Sequence, residues 1–91
     1  MDDIQRLIDA AGSGDIDVVK ELLEKGVDPS AEDDEAIRVA AENGHTEVVR
    51  RLLDDNRVDP AAMDNYAIRV AAANNHPKVL ELFLKLDDDR V

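Results

Sequence analysis

A thirteen-residue stretch of this chain is written twice, 31 residues apart. Asp33-Asp34-Glu35-Ala36-Ile37-Arg38-Val39-Ala40-Ala41-Glu42-Asn43-Gly44-His45 aligns with Asp64-Asn65-Tyr66-Ala67-Ile68-Arg69-Val70-Ala71-Ala72-Ala73-Asn74-Asn75-His76. A partial third copy precedes them, with Ala10-Ala11-Gly12-Ser13-Gly14 leading into Val18-Val19-Lys20-Glu21-Leu22-Leu23. Self-similarity at this period is the mark of a stacked solenoid, in which each unit hides its apolar face on its neighbours. The predicted fold is therefore all-α: helix–turn–helix pairs joined by short projecting loops.

Helical periodicity recurs in pairs along the chain. Ile4, Leu7, Ile8 and Ala11 fall at i, i+3, i+4 and i+7, one stripe of a helix that Asp2 and Asp3 start favourably. Gly12-Ser13-Gly14 breaks it, and a second helix is predicted over about 15–25, with Val18, Val19, Leu22 and Leu23 inward and Gly26 as its stop. The next pair is predicted over about 34–43 and 46–55, with Val48, Val49, Leu52 and Leu53 buried. The last is predicted over about 65–74 and 77–86. Pro77 suits a first helical turn, and Asn75 replaces Gly44 as a residue that tolerates left-handed backbone. Asp33 or Asp34, and Asp64, are expected to cap the helices that follow them. The chain divides into an N-terminal capping pair (1–30), a central repeat (31–61) and a C-terminal repeat (62–91).

Composition narrows the function. Twenty-two acidic and eleven basic residues give a formal charge of −11, which repels phosphate backbones and anionic lipid. Tyr66 and Phe83 are the only aromatics, too few for a base-stacking platform. Neither nucleic acid nor a membrane is an expected partner. The charge favours a cationic protein or peptide, or serves solubility alone. With no cysteine there is no disulfide framework and no thiolate metal site. No apolar run is long enough to span a bilayer, and the expected setting is cytoplasmic.

The run Ala-Ala-Glu-Asn-Gly-His-Thr-Glu-Val-Val-Arg-Arg-Leu-Leu (Ala40 to Leu53), followed by Val58-Asp59-Pro60, resembles an ankyrin repeat. Ala36-Ile37-Arg38-Val39-Ala40 and Ala67-Ile68-Arg69-Val70-Ala71 stand at the family's Thr-Pro-Leu-His-x-Ala segment. Arg38 and Arg69 replace its His, Glu35 and Tyr66 its Thr, and the unit is about two residues shorter than the usual 33. The Thr/His bonding that the resemblance implies for the loop is thus replaced, and Arg38 and Arg69 are expected to bind loop carbonyls or Asp33 and Asp64 instead.

The resemblance implies a non-enzymatic interaction module that presents its loop tips and the exposed face of each first helix. Carried over by position, that surface is Glu32, Asp33, Asp34, Glu35, Arg38, Glu42 and Asn43, then Met63, Asp64, Asn65, Tyr66, Arg69, Ala73 and Asn74. Tyr66 beside Met63 is its most anchor-like pair, the alternative being that Tyr66 merely covers the start of its helix. Leu82 and Leu86 stand where the preceding copy has Arg51 and Asp55, so they either pack locally or mark a self-association face. A monomer is the expected state and a homodimer the alternative.

No cofactor, metal or catalytic group is expected. His45 and His76 repeat at turns about 10 Å apart in a stack, too far to share a metal, and no nucleophile or phosphate-loop motif is present. Asp54-Asp55-Asn56-Arg57-Val58-Asp59 and Asp87-Asp88-Asp89 lack the alternating ligands, glycine and closing Glu of a calcium loop. Acid at these helix ends opposes the dipole and is expected to be tolerated for solubility or capped by Arg57 and Arg90. The near-identity of the central units also fits an engineered or minimal repeat protein with no evolved ligand, self-associating through its C-terminal repeat.

Overall fold

The computed structural model describes residues 2–90, with side chains as far as residue 86. Six helices follow in order: α1 (Asp3–Ser13), α2 (Ile16–Glu24), α3 (Ala31–Glu42), α4 (Thr46–Leu53), α5 (Ala62–Ala73) and α6 (Pro77–Arg90). Among the described residues there is no strand. α1, α3 and α5 pack side by side in an inner layer, while α2, α4 and α6 form an outer layer, each packed on the inner helix before it.

Small side chains in the inner layer explain this close stacking. Ala10, Ala11, Ala36, Ala40, Ala41, Ala67 and Ala71 are all buried, so neighbouring helices can approach across little more than a methyl group. Larger aliphatics fill the space between layers: Leu7, Val19, Leu22, Ile37, Val48, Val49, Leu52 and Val79 are sealed from solvent, and Phe83 takes the place that Leu22 and Leu52 hold in earlier units. Full burial of each such side chain contributes roughly 1.5–3 kcal/mol.

Helix ends follow local chemistry. Asp2 Oδ1 accepts the Ile4 N–H at 2.8 Å, and Asp15 accepts the Val18 N–H at 3.3 Å, satisfying orphan donors at two N-termini. Each inner-to-outer turn closes with one recurring bond: Asp15 N to Ala10 O, His45 N to Ala40 O and His76 N to Ala71 O, at 2.8–2.9 Å. The turn residues Gly14 (φ 81°), Gly44 (φ 75°) and Asn75 (φ 61°) are left-handed, as expected from their types.

The loops entering α3 and α5 overturn the expected capping. Three successive residues in each are left-handed: Glu32, Asp33 and Asp34 (φ 55–60°), then Met63, Asp64 and Asn65 (φ 56–61°). Right-handed helix begins only after them, and the residues before each helical span, Ser30 and Ala61, make no side-chain capping bond. Asp33, Asp34 and Asp64 therefore do not act as N-caps. Upstream, Asp28 accepts the Ser30 N–H and Asp59 the Ala61 N–H, both at 2.9 Å, so each Asp-Pro-x segment is turned by its aspartate. A left-handed L-residue costs about 1–2 kcal/mol, less for Asp and Asn, so each triplet needs bracing from outside itself.

Candidate protein-binding surface

That bracing comes from the two arginines. Arg38 donates through Nε to Asp33 O (3.1 Å) and through Nη2 to Glu32 O (3.3 Å). Arg69 repeats the pattern on Asp64 O (2.9 Å) and Met63 O (3.3 Å). The partners are backbone carbonyls, which decides between the two expected roles. A guanidinium fork suits the task because its donors are planar and fixed in direction. Arg38 and Arg69, which the resemblance places on the binding surface, have these donors committed to holding the tips.

Tyr66 links the units. Its ring lies under both guanidinium groups, with Arg38 Cζ 5.4 Å and Arg69 Cζ 5.8 Å from the centroid. Its hydroxyl donates to Glu42 Oε1 at 2.8 Å, and that charged acceptor pushes the phenol pKa upward. Tyr66 is half-buried and internally engaged, so it is a strut of the surface more than a free anchor. Met63, at the neighbouring tip, is 54% exposed and is the apolar group available for contact.

Asp34 departs furthest from its expected place. It is only 6% exposed and cannot belong to an open binding face. Its Oδ1 accepts the Asp59 N–H at 3.1 Å, fastening the loop of the following unit. Burial pushes the carboxyl pKa up, against the lowering effect of that N–H. Glu32 and Asp33 on one tip, and Asp64 and Asn65 on the next, are exposed, with Glu35 half-buried behind them. The first tip presents the Glu32 and Asp33 carboxylates, and the second presents Met63 beside Asp64.

A second row of polar groups binds the units to one another. Asn43 Nδ2 donates to Gly12 O at 2.8 Å, and His45 Nε2 lies 3.0 Å from the same oxygen. One unit later, Asn74 Nδ2 and His76 Nε2 meet Glu42 O, both at 3.0 Å. In each case an Asn-x-His tripeptide returns two side chains to the last carbonyls of the preceding inner helix, which lack intrahelical donors. Asn43 and Asn74 are exposed, but their amides are committed to this ladder; Ala73 is exposed and uncommitted. The repetition of Asn-x-His at equivalent turns was the signal in the sequence for this role. The rings also explain two glycines: a Cβ on Gly14 would sit 2.6 Å from His45 Nδ1, and one on Gly44 2.5 Å from His76 Nδ1.

Leu82 and Leu86 are half-buried and line a depression of ≈ 210 Å³ with Leu53, Arg50, Asp54 and Lys85. Sequence reasoning missed Leu84, which is 67% exposed. At the helix end beyond α4, Arg57 pairs with Asp55 Oδ2 at 2.8 Å, and its bonds hold the Asp55 carboxyl down at about 2. The expected role of Arg90 lies outside the described side chains.

Among the described residues no group of three or more His, Cys, Asp or Glu side chains is placed to hold a metal ion, and no helix is long and apolar enough to cross a membrane. No curated protein matches the chain. A family model for ankyrin repeats, in three copies, matches residues 7–90. Paired helices stacked in two layers, tips at the starts of α3 and α5 and a match over nearly the whole length converge on one assignment: the chain belongs to the ankyrin repeat family, whose repeats mediate protein–protein interaction.

Proposed function

We propose that this chain is a non-enzymatic, monomeric interaction module, working in the cytoplasm, that binds a basic protein segment along its loop tips and the exposed edge of α3 and α5. It is organised as a capping helix pair (1–30) and two repeats (31–61 and 62–91). The observation that carries this reading is the rigid presentation of acid on both tips, with one exposed apolar side chain on the second. Glu32, Asp33 and Asp64 stand exposed on left-handed turns, each turn held by an arginine, with Met63 next to Asp64 on the second. Because the arginines have already ordered the tips, little conformational entropy remains to be lost when a partner binds. The chain's −11 charge draws a cationic partner in, and the local carboxylates set where it sits.

A fluorescently labelled peptide with lysines flanking a single leucine tests this by anisotropy. Binding should be saturable and salt-sensitive, and Asp33→Asn with Asp64→Asn should weaken it about tenfold, as loss of two charge-assisted contacts implies. Met63→Ser should weaken it further. Equal affinity for the wild type and all these variants overturns the reading. The close identity of the two central units supports a second reading, an engineered repeat protein without an evolved ligand.

A further inference from the structure

The two tips are held by separate arginines, yet one side chain lies against both. Arg38 holds Glu32 O and Asp33 O on the first tip, and Arg69 holds Met63 O and Asp64 O on the second. Each fork reaches back only five or six residues within its own repeat, so neither joins the tips to each other. Tyr66 does. It follows the second left-handed triplet directly in the chain, and both guanidinium groups lie over its ring. Its hydroxyl is anchored on Glu42, in the repeat that carries the first tip. Gln5 and Glu35 hold the equivalent positions in the earlier units, so this seat is built once, between the two tips.

We propose that Tyr66 is a positioning residue that makes the two tips close as one unit: when the second tip lets go, the ring that seats Arg38 moves with it, and the first tip loosens too. This deepens the tip-binding reading and rests on it, because it states how that surface is regulated. The two-state element is the triplet itself, closed while a guanidinium holds its carbonyls and open otherwise. Three left-handed residues without a glycine favour opening, so a small loss of bracing shifts the balance. Displacing the ring removes one cation–π contact from Arg38, enough at such a site to change opening about two- to fivefold. Repulsion between two guanidinium groups over one ring is offset by the Glu42 carboxylate on the same phenol. A partner seated on the second tip therefore keeps the first closed, and by reciprocity the first favours the second.

Hydrogen exchange of the whole chain without ligand, read amide by amide by NMR, tests this. The reporters are the N–H groups that close each tip: Asp34 N–H on Ser30 O at 3.0 Å, and Asn65 N–H on Ala61 O at 2.9 Å. Arg69→Ala releases the second tip and should speed exchange at Asn65. It should also speed exchange at Asp34, one repeat away, about two- to fivefold. In a Tyr66→Leu background Asp34 should already exchange that much faster, and adding Arg69→Ala should change it no further. Tyr66→Phe keeps the ring and should preserve the response of Asp34 to Arg69→Ala. If Arg69→Ala speeds Asn65 and leaves Asp34 unchanged, the proposal is overturned, a result that needs no change at Tyr66. An effect on Asp34 that is as large in the Tyr66→Leu background shows opening of the whole chain and overturns it too, as does an effect that Tyr66→Phe abolishes. The tip-binding reading fails separately: coupled tips that bind no lysine peptide remove that reading alone, and independent tips that do bind remove only the coupling.

Discussion

Asp34 holds the next loop with a carboxylate that burial makes costly, so acceptor and charge can be separated by substitution. Asp34→Asn keeps an oxygen for the Asp59 N–H, removes the charge and retains a residue type that tolerates φ 60°. The following repeat has Asn65 at the same left-handed position. Asp34→Ala removes the acceptor, leaving a part-buried N–H unpaired at about 1–3 kcal/mol. Alanine at positive φ adds roughly 1 kcal/mol. A chain of this size has about 5–14 kcal/mol of total stability, of which the alanine variant should lose about 2–4 kcal/mol. In urea, with a slope near 1–1.5 kcal/mol per molar, its midpoint should fall by roughly 2 M, while the asparagine variant stays within about 0.5 M of wild type or above it.

The pH dependence separates the effects further. The folded-state pKa of Asp34 is raised, so its favourable linkage is full below the unfolded value of 3.8 and is lost as pH rises through the folded value. Asparagine has no such loss. The advantage of Asp34→Asn over wild type should therefore be larger near neutrality than at about pH 3. If Asp34→Asn is as damaging as Asp34→Ala, or if its difference from wild type is constant over that range, the account of Asp34 as a buried charge is wrong.

Leu52→Ala, at a fully buried position between layers, should cost about 2–5 kcal/mol in chemical denaturation and leave the chain barely folded. Gly44→Ala should cost at least about 1–2 kcal/mol from positive φ and more from collision with His76; Asn75→Ala, at an exposed left-handed position, should cost less when melting temperatures are compared. Asp55 is held down at about 2 when folded against 3.8 unfolded, so its contribution is full above 3.8 and lost as pH falls toward 2; Arg57→Gln, which keeps only the backbone N–H to Asp55, should shrink that acid-side loss in a stability–pH profile.

The two-layer stack was legible because its signals repeat. Helical spacing, the turn glycines and the Asn75 substitution all report backbone demand directly, and Leu7, Ile8, Ala11, Val19, Leu22, Val48, Val49 and Leu52 are buried on the stripes predicted for the first two pairs. The left-handed triplets were not legible. Glu32-Asp33-Asp34 and Met63-Asp64-Asn65 contain no glycine, and their shape depends on an arginine several residues away. Asp34 read as surface because an acidic residue in a loop usually is, and only the arrival of Asp59 from the next unit encloses it. Leu84 was not singled out in the sequence, although it stands at the position of Leu53. It is exposed because periodicity says which face a side chain is on, and not whether anything lies against that face.

The imidazole-over-glycine contact governs how such a chain can lengthen by internal duplication. An inserted copy of the middle helix pair brings both a bare turn, Gly44, for the next ring to rest on and a ring, His45, for the turn before it. A duplicate of the last pair would lay its histidine on Asn75, whose first side-chain carbon would fall about where Gly14 and Gly44 leave room, at a separation no van der Waals contact allows. Growth from the interior is thus sterically permitted, whereas growth by copying the final unit first requires Asn75→Gly.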